Sequence, residues 1–221
     1  MYPPVSSPML GLLALLLIVL VAFIEIGVIE YAYARLGISH RAITSLLLLT
    51  IAGSLINIPV ASVSTRQMVA GQTIYVFGVP YVSPPVISVG HTVIAINLGG
   101  ALIPTLLSLY LLLRLGGLLR ATLATALVAV IVHRVAQIVP GVGIAVPTLL
   151  PGIVAAMAAW LVDKRRRASI AYVAGTMGCL IGADLANLAR ISQMHAPMVS
   201  IGGAGTFDGV FVAGIVAVLL A

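Results

Sequence analysis

Apolar residues run through this chain in stretches that short polar segments interrupt. Seven of these stretches, near 9–34, 42–59, 89–113, 118–138, 141–162, 168–190 and 200–221, approach the length of about 20 residues that a helix needs to cross a hydrocarbon layer. The pattern predicts an all-α fold, a polytopic transmembrane bundle of about seven spans forming a single integral membrane domain over residues 1–221. The one long connection, about 60–88, contains TIYVFGVPYVSPP. Its β-branched and aromatic residues flank a Gly-Val-Pro turn and predict a short β-hairpin outside the membrane. In the fifth stretch, Pro147 and Pro151 each remove a helix donor, so this span is expected to kink or unwind locally. Broken spans line sites, because their freed carbonyls are tolerated only where protein or water satisfies them.

Composition supports the same environment. Apolar residues make up 62% of the chain and charged residues 7%, far below the quarter that soluble domains carry. The net charge of +6 comes from basic residues scattered between apolar runs, with no aromatic-interleaved patch, so nucleic acid is not an expected partner. The distribution is instead a topology signal. Arg35, Arg41, Arg114, Arg120, Lys164, Arg165, Arg166 and Arg167 fall in the odd connections, and only Arg66, Arg134 and Arg190 in the even ones. This asymmetry predicts a multi-pass protein of the cell membrane with its N-terminus outside and its C-terminus inside. Tyr31, Tyr33, Tyr110 and Trp160 then fall near the inner interface as an aromatic belt. The first run carries no cleavage-site pattern and is expected to be a retained span. Cys179 is the only cysteine, which excludes an internal disulfide. Gly178 with Gly182, and Gly205 with Gly209, have the spacing that lets helix backbones approach closely, and Gly99-Gly100 interrupts the third span.

The candidate chemistry lies in two acids. With the spans oriented, a rise of 1.5 Å per residue sets Asp184 of the sixth span and Asp208 of the seventh at a common depth, roughly 9–12 Å below the outer surface. Asn97 and Pro147 come to a similar level. Two aspartates close together in a poorly solvated place cannot both ionise cheaply, so such a pair would share a proton. One member is then an acid and the other a base, the arrangement that activates water and protonates a leaving amide nitrogen. Gly205 and Gly209 would let a substrate backbone or water come close. The bland alternative is that each acid is satisfied by a neighbour, Asn187 one turn from Asp184 as a hydrogen-bond partner, or Arg134 or Arg190 as a neutralising charge. A proton- or ion-coupled pathway and a scaffold without chemistry also stay open. His91 and His133, with His195, are the nearest approach to metal ligands, but no pair has HxxxH or HExxH spacing, so neither metal nor cofactor is expected. Glu25 and Glu30 are expected at the interface or paired with Arg35 or Arg41. The expected partners are the lipid bilayer and either a membrane peptide or a small ion, with oligomeric state left open.

The segments NLGGALIPTLLSLYLL (97–112), GIAVPTLLPG (143–152), GTMGCLIGADLANL (175–188) and SIGGAGTFDGVF (200–211) are similar to a family of archaeal and bacterial multi-pass membrane proteins known only as a domain of unknown function. The chain also distantly resembles intramembrane aspartyl proteases of the presenilin and signal-peptide-peptidase type. Those proteins carry aspartates on consecutive helices, a Gly-x-Gly-Asp motif and a proline motif. Here Gly182-Ala183-Asp184 lacks the first glycine, and Pro147-Thr-Leu-Leu-Pro151 precedes both acids instead of following them. This resemblance implies catalytic roles for Asp184 and Asp208.

Overall fold

Helices and short sheets alternate along the chain, and the sheets gather at one end. The computed structural model describes residues 24–69, 73–76, 79–82, 86–115, 118–139, 143–194, 196–203 and 209–221, with Leu15 and Ala22. Asp208, Gly205 and His195 lie outside the described residues. The order is α1 (24–35), α2 (His40–Ser54), β1 (Asn57–Val69), β2 (Thr73–Val76), β3 (Val79–Val82) and β4 (Val86–Asn97). A π turn, Leu98–Leu102, leads into α3 (Ile103–Leu115), followed by α4 (Leu118–Val135), β5 (Gln137–Val139), β6 (Gly143–Ala145) and α5 (Leu150–Val162). Then α6 (Arg167–Cys179) continues through a π turn, Leu180–Asp184, into a 3₁₀ segment, Leu185–Gln193, before β7 (Met198–Ile201) and α7 (Gly209–Leu220).

Among the described residues two helices, Leu118–Val135 and Arg167–Ile191, are long and apolar enough to cross a membrane. Shorter apolar helices span Leu98–Arg114, Leu150–Val162 and Gly209–Leu220. The core between α4, α5, α6 and α7 holds many small side chains, with Ala124, Ala155, Ala159, Ala171, Ala213 and Ala217 buried completely beside larger ones such as Tyr172, Ile170 and Val128. Larger apolar groups face outward, as at Leu113, Leu119, Leu161 and Trp160. Alanines at the helix contacts, with many large apolar groups turned outward, suit helices whose contacts with each other come from close packing. The Gly178/Gly182 spacing does what it predicts. A Cβ at Gly178 would stand 2.6 Å from the Val128 side chain, and one at Gly182 would overlap the Ala129 carbonyl oxygen, so α4 crosses α6 backbone to backbone. A Cβ added at Gly209 would meet nothing within 4 Å, so the described residues show no such close approach there.

An all-α fold is corrected by the sheet. β1 pairs antiparallel with β4 from Asn57↔Asn97 to Val69↔Val86, with an irregularity between Pro59 and Ala61, and β7 adds to β4 in parallel. The predicted hairpin at about 60–88 is therefore the outer part of a longer ribbon, 57–97, with β2 and β3 pairing as a smaller hairpin of their own. The third predicted span loses its first residues to β4 and becomes helical only from Leu98. The reason is physical: VISVGHTVIAIN is rich in β-branched residues, and a continuous apolar run suits a covered strand as well as a helix. The second span likewise ends at Ser54, short of residue 59. The fifth and seventh are each split into a strand and a short helix. Pro147 and Pro151 produce no kink within a helix. Pro147 lies before the helix, and Pro151 occupies the first turn of α5, where its missing N–H costs nothing.

The other end of the molecule collects the basic connections. Arg35 Nη1 donates to the Val218 and Leu219 carbonyls at 2.7 and 3.3 Å, closing the last turn of α7, instead of pairing with Glu25 or Glu30. Arg114 Nη1 reaches the Gly37 carbonyl at 3.3 Å. Arg120 Nη1 meets Asp163 Oδ2 at 2.7 Å. Asp163 Oδ1 also accepts from the Arg165 and Arg166 backbone N–H groups at 2.9 and 3.3 Å, starting α6. These bonds, the Arg165 N–H first and then the Arg120 guanidinium, hold the Asp163 carboxyl below its ordinary value of 3.8. A depressed folded-state value stabilises the fold above the unfolded value, and the contribution is lost as pH falls through the folded one. The melting-temperature gap between wild type and Asp163→Asn in detergent should thus be full at neutral pH and shrink below about pH 3.8.

Candidate functional site

Breaks in three helices meet beside the sheet. The π turn Leu180–Asp184 widens the helix so that residues five apart come into register, which turns Cys179 and Asp184 toward the same cavity. This cavity, about 420 Å³, is lined by residues of both β6 and β7. Its walls include Ile144 and Ala145 on one side, Val199 and Ser200 on the other, Gly203 in the turn after β7 and Gly209 at the start of α7. Cys179, Ser200 and the β6 backbone were not singled out by residue type or spacing. Their signal, a widened turn joined to two short strands inside apparent spans, is not visible in hydropathy.

Asp184 is half-buried, and its Oδ2 accepts from the Gly202 N–H at 2.7 Å. Gly202 and Gly203 have φ of +83° and +73°, a left-handed turn that side-chain-bearing residues rarely adopt. The Gly202 carbonyl oxygen also lies where a Cβ on Gly100 would stand. Asp184 therefore ties the broken end of α6 to the turn that ends β7, and through it to the head of α3.

The other sequence candidates divide. Asn97 is completely buried and does not line the cavity. Its Nδ2 donates to the Ser54 carbonyl at 2.8 Å and to Asn57 Oδ1 at 3.1 Å, while its Oδ1 accepts from the Gly100 N–H at 2.7 Å. Ser200 Oγ donates to the same Asn57 oxygen at 2.6 Å, so the network joins α2, β1, β4 and β7. All of the Asn97 amide's donors are used within the protein. Asn187 is also buried and donates to the Gly182 and Ala183 carbonyls at 3.2 and 2.8 Å, satisfying oxygens that the π turn frees. Its amide nitrogen lies 3.4 Å from His133 Nδ1, and Arg190 Nη1 reaches its oxygen at 3.5 Å. Among the described residues the single ion pair is Arg120–Asp163. Pro147 is exposed between Val146 and Thr148, both of which line the cavity. His91 is exposed on β4 with its Nδ1 3.5 Å from Ser64 Oγ. No group of three His, Cys, Asp or Glu side chains is clustered as a metal site among the described residues.

These features define a mostly helical protein with two helices of membrane-crossing length and a three-stranded mixed sheet beside an acid-bearing cavity. The chain belongs to the family described as protein of unknown function (DUF1614), whose model matches residues 51–220. No curated protein and no solved structure matches it.

Proposed function

We propose that the chain is a multi-pass membrane protein, N-terminus outside and C-terminus inside, that hydrolyses membrane peptides with Asp184 and Asp208 as its acid–base pair. The single observation carrying this reading is that Asp184 lines a cavity whose wall also contains Gly209, the residue bonded to Asp208 in the chain. One carboxylate takes a proton from water as the water oxygen attacks the peptide carbonyl. The other, protonated, gives its proton to the amide nitrogen as the C–N bond breaks. The flanking backbones of β6 and β7 suit an extended substrate, since an unpaired strand edge offers N–H and C=O groups to a partner chain. The outward-facing apolar side chains of α3, α4 and α5 support immersion in lipid, and the shared end of the basic connections supports the orientation.

A second reading, proton- or ion-coupled transport, is favoured by the two π turns, which Gly202 links through Asp184 and Gly100, and by the late start of α5, since discontinuous helices line transport sites. Purified protein in liposomes separates the two. With transmembrane peptides as substrate, mass spectrometry should detect discrete products. Proton or cation flux without any peptide product would replace hydrolysis by transport, and neither would leave a scaffold.

A further inference from the structure

At the basic end, α2 and α3 stand apart. Near the sheet they are held together by Asn97 and by Gly99, where an added Cβ would overlap the Thr50 carbonyl oxygen. Toward the other end they splay, and the groove between them, about 650 Å³, lies within the 300–1,000 Å³ typical of small-molecule sites. Its walls are one face of each helix: Ala42, Leu46 and Leu49 of α2, and Ile103, Leu106 and Leu107 of α3. From Ile103 to Arg114 the α3 wall rises about 16 Å. The apolar walls end in a polar mouth formed by Ser39, Tyr110 and Arg114.

Arg114 is exposed and has no carboxylate partner among the described residues. Its Nη1 makes two long bonds, 3.3 Å to the Gly37 carbonyl and 3.4 Å to Tyr110 Oη. A guanidinium has five N–H donors, so these contacts aim the group without exhausting it. The first turn of α2 contains no acid, and Arg41 lies in it. The mouth is therefore cationic with no acid among the described residues to neutralise it, and the groove behind it is apolar and long.

We propose that this groove binds one anionic glycerophospholipid, with an acyl chain along α2 and α3 and the phosphate against Arg114. The inference rests on the membrane reading but not on the peptidase reading. Apolar walls need a chain, and a planar guanidinium is suited to a phosphate that it can grip through two donors. A free anion would leave the walls empty, and a neutral zwitterionic lipid would forgo the charge match.

The test begins with the full chain in membranes, where resistance to alkaline carbonate extraction checks the membrane reading separately. Protein is then taken from nanodiscs of phosphatidylcholine with phosphatidylglycerol into native mass spectrometry. One phosphatidylglycerol should be retained in preference to phosphatidylcholine. Arg114→Gln should weaken retention about tenfold, and Ala42→Phe, which fills the groove, should abolish it. Arg165→Gln removes a charge from the same end away from the groove and should change nothing. Equal retention of the two lipids, indifference to both groove variants, an equal loss in Arg165→Gln, displacement by inorganic phosphate alone, or a lipid-free dimer cross-linking through position 42 would each overturn the proposal.

Discussion

Asp184→Asn should reduce peptide cleavage by about 10²–10⁴-fold while the bundle stays folded. The asparagine oxygen can still accept from the Gly202 N–H, now at 2.7 Å from Asp184 Oδ2, so the junction between α6 and the β7 turn survives. What is lost is the capacity to exchange a proton. Asp184→Ala removes both and should lower the melting temperature as well as activity. Comparing the two variants separates positioning from chemistry, with product formation and thermal unfolding in the same detergent as the readouts. Cleavage at the wild-type rate in Asp184→Asn would leave the residue a structural role, with the hydrogen bond to Gly202 part of it.

Asn97→Leu should cost about 3–5 kcal/mol of stability, the largest structural effect expected from one side chain at this end. The substitution strands the Gly100 N–H and the Ser54 carbonyl in a buried place, where each unsatisfied group costs about 1–3 kcal/mol, and leaves Asn57 Oδ1 with the Ser200 hydroxyl alone. Asn97→Asp keeps the acceptor for Gly100 but sets oxygen against oxygen at Ser54 and Asn57, so it should not rescue the fold. Melting temperatures of the three forms check this. A neutral Asn97→Leu would mean that the amide faces a ligand or water and not this network.

Hydropathy was informative where helices are long. The apolar runs around α4 and α6 correspond to the two helices of membrane-crossing length, and the Gly178/Gly182 pair sits at the crossing between them. It failed where strands lie inside apolar runs. β4, β6 and β7 carry no polar alternation strong enough to distinguish a covered strand from a buried helix, because both bury nearly everything. Depth reasoning brought Asn97 to the level of Asp184 but gave no rotation, and rotation decides whether an amide meets a cavity or a neighbouring carbonyl. Asn187 shows the same limit: one turn from Asp184, it spends its donors on the carbonyls of Gly182 and Ala183. The π turn that directs Asp184 into the cavity depends on packing against α4 and has no composition of its own.

Short-range cross-linking tests the pairing of Asp184 with Asp208 most directly. In a Cys179→Ala background, which removes the chain's only cysteine, Asp184→Cys and Asp208→Cys are combined and treated in membranes with a short bifunctional thiol reagent. The shared-chamber account predicts rapid bridging within one molecule, seen as the mass of the intact cross-link. Two thiols that each react singly but never bridge would contradict it.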